Sequence, residues 1–200
     1  IRLQVHGESH PSVSTSYNNI GLILSNQGNY NEALEYHHKS LQIKIRFHGE
    51  SHPDLGTSYD NIGSVLKNQG NYNEALEYHQ KSLKIRLQVH GESHPSVSIS
   101  YNNIGLVLSN QGKYDEALEY YHKSLQINIQ VNGESHPYVG MIYNNIGSVL
   151  KNQGNYNEAL EYHQKSLKIR LQVHGESHSS VAITNFKIGQ SNIQLHRYED

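Results

Sequence analysis

Residues 11–47 read PSVSTSYNNIGLILSNQGNYNEALEYHHKSLQIKIRF, and this stretch decides the fold. Val13, Tyr17, Ile20 and Leu24 are spaced 4, 3 and 4 apart, which lays them on one face of a helix. Pro11 suits the first turn, where its missing N–H costs nothing, and Gln27-Gly28-Asn29 supplies the stop. A second series, Tyr30, Ala33, Leu34, His37, Leu41 and Ile45, again runs at helical spacing, over about five turns. Gly21 and Ala33 are the small residues on the two apolar faces and let antiparallel helices approach closely. The stretch predicts a hairpin of a helix A and a helix B.

The hairpin recurs. His-Gly-Glu-Ser-His begins at His6, His48, His90 and His174, and Asn132 opens the fourth copy, so the period is 42 residues. Residues 62–94 and 146–178 are identical and lie two repeats apart. Four full repeats are read at 6–47, 48–89, 90–131 and 132–173. A diverged half repeat at 174–200 is expected to act as a C-terminal cap, and residues 1–5 read as the tail of a preceding repeat. One hairpin cannot bury both of its apolar faces, so neighbours are expected to stack as a single solenoid domain with nearest-neighbour interfaces.

Tyr17, Ile20-Gly21, Leu24, Gly28, Tyr30, Ala33 and Leu41 together resemble the tetratricopeptide repeat. The 42-residue period with its Gly-x-x-His-Pro linker is similar to the kinesin light chain subtype. The resemblance covers nearly the whole chain and recurs in register, for example at Gly63, Gly70, Tyr72 and Ala75. It implies an all-α, right-handed solenoid of stacked antiparallel hairpins, with helix A lining the inner wall. The chain departs from the family where His37, His79 and His163 replace an aromatic, and where Ser40, Ser82, Ser124 and Ser166 replace Ala. Softer packing is expected at both places.

Composition narrows the function. Leu, Ile, Val and Phe make up 49 of 200 residues, above the roughly 20% floor below which highly charged chains stay unfolded. Sixteen Lys and Arg against eighteen Asp and Glu give a net charge of −2, so no broad basic field exists for nucleic acid or an anionic membrane. The absence of Cys removes disulfides, thiolate metal sites and Cys nucleophiles. No apolar run approaches a membrane span, and residues 1–5 are no signal peptide. A cytoplasmic setting is expected.

On a helical wheel, the direction opposite the core of helix A falls on Thr15, Asn19, Leu22 and Asn26. The corresponding sets are Thr57, Asn61, Ser64 and Asn68, then Ile99, Asn103, Leu106 and Asn110, then Met141, Asn145, Ser148 and Asn152. These residues form the candidate peptide-binding groove. Asn18, Asp60, Lys67, Asn102, Asn144 and Lys151 are placed at its edge. Asn costs roughly 0.5 kcal/mol against Ala inside a helix, so its recurrence calls for an offsetting role. A carboxamide both donates and accepts, so rows of Asn can grip the backbone of an extended peptide whatever its side chains. The alternative is that these amides bond to the neighbouring repeat or to water. Leu22, Ile99, Leu106 and Met141 offer apolar pockets. The resemblance also suggests a Lys and Asn clamp for a C-terminal carboxylate, as in chaperone-tail-binding members. Here those positions hold Asn18, Asp60, Asn102 or Asn144 and Leu22, Ser64, Leu106 or Ser148, so the clamp is absent.

Fifteen His residues invite a metal reading, but the His-x-x-x-His segment is a Gly-containing linker ending in Pro, and one copy has lost its first His to Asn132. No metal site and no cofactor are expected. His37, His79 and His163 align with Tyr121, which marks a packing position; His38 and His122 are expected on the outer face. Buried neutral imidazoles predict lost stability below about pH 6. Glu35 with Lys39, and its copies, are expected to form i,i+4 pairs. No phosphate loop, nucleophile elbow or isolated carboxylate pair exists, so the chain is not expected to be an enzyme. The sequence therefore predicts an interaction scaffold for a peptide or partner segment. The rival is a structural array without a groove ligand, and weak end-to-end self-association would accompany it.

Overall fold

A computed structural model describes residues 11–199; residues 1–5, read above as the tail of a preceding repeat, lie outside the described residues. Nine helices and no strand occur among the described residues. They alternate as helices A and B: α1 (Pro11–Asn26), α2 (Tyr30–His48), α3 (Pro53–Asn68), α4 (Tyr72–His90), α5 (Pro95–Asn110), α6 (Tyr114–Asn132), α7 (Pro137–Asn152), α8 (Tyr156–His174) and α9 (Ser179–Glu199). The fold is all-α, of the α-solenoid class. Two compact units divide between Glu92 and Ser93. The first contains hairpins α1–α2 and α3–α4, and the second contains hairpins α5–α6 and α7–α8 followed by α9.

Local chemistry sets each boundary. At the end of α3 the Asn71 N–H reaches back to Leu66 O at 2.9 Å and the Gly70 N–H to Lys67 O at 3.0 Å. This Schellman closure requires the left-handed backbone that Gly70 adopts at φ 85°. At the other end of a helix A, the second His of the linker is the N-cap. Nδ1 of His52, His94, His136 and His178 accepts the N–H of the residue two positions on, at 3.1 to 3.3 Å. A Pro follows at three of these junctions, as expected for the first helical position. The first His of the linker stacks on the cap in two copies, His48 on His52 at 4.3 Å and His174 on His178 at 4.4 Å between ring centroids.

Each hairpin closes on a glycine. A Cβ built on Gly21, Gly63, Gly105 or Gly147 would lie 2.8 to 2.9 Å from the ring of His37, His79, Tyr121 or His163 respectively. Those rings are at most 1% exposed, so helix B drops one ring into the notch left by each glycine. Ala33, Ala75, Ala117 and Ala159, one turn earlier on helix B, are fully buried beside the same notch. Leu55, Ile62, Val139 and Ile146 complete the cores, each contributing about 2 kcal/mol by burial.

The Ser residues that replace Ala in helix B tighten the hairpin instead of softening it. Ser40 Oγ donates to Ser14 O at 2.8 Å, Ser124 Oγ to Ser98 O at 2.9 Å, and Ser166 Oγ to Gly140 O at 2.6 Å. A hydroxyl thus reaches the first-turn carbonyls of helix A, which have room for a second acceptor bond. Successive hairpins are tied by longer side chains: Lys44 Nζ donates to Ser58 Oγ at 2.8 Å, and Arg170 Nη1 to Thr184 Oγ1 at 3.0 Å.

Candidate functional site

Within the first unit α1 packs directly on α3, and within the second α5 packs on α7 and α7 on α9, whereas successive helices B make no comparable backbone approach. Helices A are therefore the closer-spaced layer of each unit, and their outward face is its inner wall. None of the groove residues read from sequence is buried. Thr15, Asn19, Leu22, Asn26, Thr57, Asn68, Asn110 and Asn152 are exposed, and Asn61, Ser64, Ile99, Asn103, Leu106, Met141, Asn145 and Ser148 are half-buried.

The Asn rows are cross-linked. Asn61 Nδ2 donates to Asn18 Oδ1 of the preceding hairpin at 2.7 Å, and Asn145 Nδ2 to Asn102 Oδ1 at 3.0 Å. Each unit thus carries one amide rung between adjacent helices A. A carboxamide has two N–H donors and two acceptor lone pairs, and among the described residues Asn61 and Asn145 make no other hydrogen bond. The bond to the neighbouring repeat therefore engages part of each amide and leaves a second N–H and the carbonyl at a half-exposed surface.

The edge residues divide. Asn18, Lys67 and Lys151 are half-buried at the rim of the wall. Asp60, Asn102 and Asn144 are instead buried, at 7%, 5% and 7% exposure. Asp60 reaches helix B, where the ring in the glycine notch sits, whereas Asn102 carries the rung to Asn145. Asp60 Oδ1 lies 2.8 Å from His79 Nδ1, and its Oδ2 lies 2.7 Å from Arg86 Nη1. Asn144 has no such partners, and its Oδ1 finds no hydrogen bond. In the second unit the cations gather with no carboxylate paired to them among the described residues: Lys151 Nζ donates to Gln190 Oε1 at 3.1 Å and Lys187 Nζ to Ser148 Oγ at 2.8 Å. Desolvation, followed by the charges of Arg170 and Lys151, lowers Lys187 to about 8.

The histidines also sort by geometry. Burial first, then the charges of His38 and Lys44, holds His37 down to about 4. Burial with Lys187, Lys151 and Arg170 nearby does the same to His163. Neither ring nitrogen of His37 or His163 has a hydrogen bond. His122 is exposed and His38 half-buried, and the two meet Tyr162 and Tyr78 of the next helix B edge-on, at 6.4 Å for His122 and 6.0 Å for His38. Lys39 does not pair with Glu35; its Nζ lies 5.1 Å from the Tyr36 ring centroid and 6.0 Å from that of Tyr17. Lys81, Lys123 and Lys165 repeat this placement over Tyr78, Tyr120 and Tyr162.

Two features of the wall are not evident from the helical wheel. Gln69 Nε2 donates to Asn31 Oδ1 at 2.8 Å and Gln153 Nε2 to Asp115 Oδ1 at 2.7 Å, which ties the hairpin turns of neighbouring repeats together. The Asn-Gln-Gly string that recurs at every hairpin turn, followed by Asn31 or Asp115 just after the turn Tyr, is the sequence signal for these ties. Lys187 and Gln190 join the wall from α9, whose departure from the repeat pattern hides them.

Comparison with known proteins agrees with this architecture. The tetratricopeptide repeat family model matches residues 12–88, 57–130, 96–151 and 138–200. No curated protein sequence matches the chain. Among solved structures, the chain is similar to BtubC (BKLC) from P. vanneervenii, with a TM-score of 0.81 at 19% identity over 94% of this chain and 75% of that one. It is also similar to a Podosopora anserina putative kinesin light chain with nearly identical TPR-like repeats, with a TM-score of 0.77 at 18% identity over 95% of this chain and 90% of that one. A point variant of the latter protein gives 0.78. Helical hairpins that each close on a glycine notch and recur at a 42-residue period, matched along nearly their whole length by the family model, make this chain a member of the tetratricopeptide repeat family.

Proposed function

We propose that the helix A wall of each unit holds an extended peptide or partner segment, and that the Asn rungs bond to the backbone of that ligand. Repeats of this family generally serve as protein-interaction scaffolds. The observation that carries the reading is the rung itself: one N–H of Asn61 or Asn145 fixes the amide against the neighbouring repeat. A fixed amide loses little further rotamer freedom on binding, and its second N–H and carbonyl match the donors and acceptors of an extended strand. Leu22 in the first unit, and Leu106 and Met141 in the second, flank the amides with apolar surface for anchoring side chains. Lys151 and Lys187, which bond only to neutral groups among the described residues, favour a carboxylate on the segment held by the second unit.

Peptides selected from a random display library on the intact chain provide the test. Asn61→Ala with Asn145→Ala should leave helicity unchanged and weaken the selected peptides about tenfold or more. Peptides that bind both forms equally, with the helices intact, would contradict the reading.

A further inference from the structure

A cavity of about 370 Å³ opens in the first unit between α2 and α4, at the low end of the roughly 300–1,000 Å³ that small-ligand sites occupy. Its place follows from the stacking, since α1 packs directly on α3 whereas α2 and α4 make no such approach. Tyr59 lies two positions before Asn61, so it points away from the helix A wall, and it lines the cavity from α3. Ile45 of α2 and Ile85 of α4 supply apolar surface, and Glu50 contributes from the linker. Lys81 and Lys84, one turn apart on α4, complete the lining.

The polar groups of this cavity are not matched to one another. Neither Lys81 nor Lys84 forms an ion pair among the described residues, and neither does Glu50. The Lys81 ammonium rests 4.7 Å from the Tyr78 ring centroid. Burial, and then the Glu50 charge, raise Tyr59 above the usual phenol range, so its hydroxyl stays a donor. Donors thus outnumber the single carboxylate, and groups of both signs stand beside an apolar wall. The lining recurs 84 residues on: Ile129, Glu134, Tyr143, Lys165, Lys168 and Ile169 repeat it in the second unit. There too burial, and then the Glu134 charge, raise the Tyr143 hydroxyl. In the first and third hairpins, Gln42 and Gln126 stand in place of Lys84 and Lys168, so the paired lysines mark the second and fourth.

We infer that each of these two places binds an apolar α-amino-acid unit with a free carboxylate, either the last residue of a peptide or the free amino acid. The two ammonium groups and the Tyr hydroxyl take the carboxylate in charge-assisted hydrogen bonds. The two Ile side chains cover a branched side chain of the ligand, and the Glu accepts its N–H. None of these residues belongs to the helix A wall, so the inference does not depend on what that wall binds.

The probe is Gly-Gly-Leu with a fluorophore on its amino terminus and a free carboxylate, titrated onto the full chain and followed by anisotropy. Saturable binding at two sites per chain is expected. The same peptide with a C-terminal amide should bind about tenfold more weakly or worse. Lys84→Gln with Lys168→Gln copies the Gln that the first and third hairpins carry at the same exposed position, so the fold is kept, and it should cost a similar factor. Displacement of the probe by free leucine would support the inference with the amino acid as a sufficient ligand. Resistance to leucine, with the preference for acid over amide intact, would support it with the peptide end as the ligand. Absence of binding would overturn it, as would equal affinity for acid and amide or for the wild-type and Lys84→Gln, Lys168→Gln chains. Binding that Asn61→Ala with Asn145→Ala abolishes would also overturn it, by making the helix A wall the site.

Discussion

Asp60 and Arg86 face each other inside the second hairpin, with Oδ2 and Nη1 2.7 Å apart and both residues no more than 8% exposed. The other Asp60 oxygen contacts His79, so α3 and α4 are joined by three polar groups where their counterparts in the third hairpin are Asn102, Tyr121 and Asn128. A buried charge is tolerated only with its partner in place. Asn128 shows the neutral solution at the same position as Arg86: its Nδ2 donates to Ser98 Oγ and to Ser124 O.

Asp60→Asn alone leaves the Arg86 charge buried against a neutral amide, and a loss of about 3 kcal/mol is expected in urea unfolding. Adding Arg86→Asn, which recreates the residue pair of the third hairpin, should recover most of that loss. Equal stability of the single variant and the wild type would show that the pair is dispensable.

Acid should destabilise the fold through His37 and His163. Both are held at about 4 when folded, below the ordinary imidazole value of 6.5. The unfolded chain therefore binds more protons between these two values, and stability must fall as pH drops from about 6.5 toward 4. The full effect is roughly 3 kcal/mol per residue at the lower end of that window. His37→Tyr with His163→Tyr, which copies the Tyr121 already present at this position, should leave a much flatter Tm profile between pH values of about 7 and 4.5. An unchanged slope in the double variant would assign the acid sensitivity elsewhere.

Two glycines at equivalent positions should respond in opposite directions. Gly147→Ala puts a Cβ 2.8 Å from the His163 ring and 3.1 Å from Ala159 O, and a cost of about 1–3 kcal/mol is expected. Gly189→Ala meets nothing within 4 Å among the described residues and should gain up to about 1 kcal/mol from helix propensity. Denaturant midpoints for the two variants moving in the same direction would contradict the notch geometry.

The hairpins are legible in the sequence because apolar spacing and turn chemistry act within a single 42-residue period. Pro11, Gln27-Gly28-Asn29 and Tyr30 mark helix limits that the structure places at Pro11–Asn26 and Tyr30–His48. The outward set of helix A follows from the same wheel. The partners of those side chains do not. Asn61 and Asn18, or Gln69 and Asn31, meet only once two hairpins are stacked, and periodicity assigns a face without assigning a contact. Asp60 illustrates the limit: its place on the wheel lies at the wall edge, but Arg86 and His79 draw the carboxylate under it. The Ser residues of helix B suggest weakened packing from sequence alone because their acceptors, the first-turn carbonyls of helix A, belong to the backbone.

The account rests on the half-exposed amides of the helix A wall being the groups that grip a partner. Side-chain amide resonances of isotope-labelled protein, followed during titration with a library-selected peptide, test this most directly. The Nδ2 signals of Asn61 and Asn145 should shift on binding and become protected from solvent exchange. Perturbations confined to helix B residues such as Tyr36 or Tyr78, with both Asn signals unmoved, would contradict it.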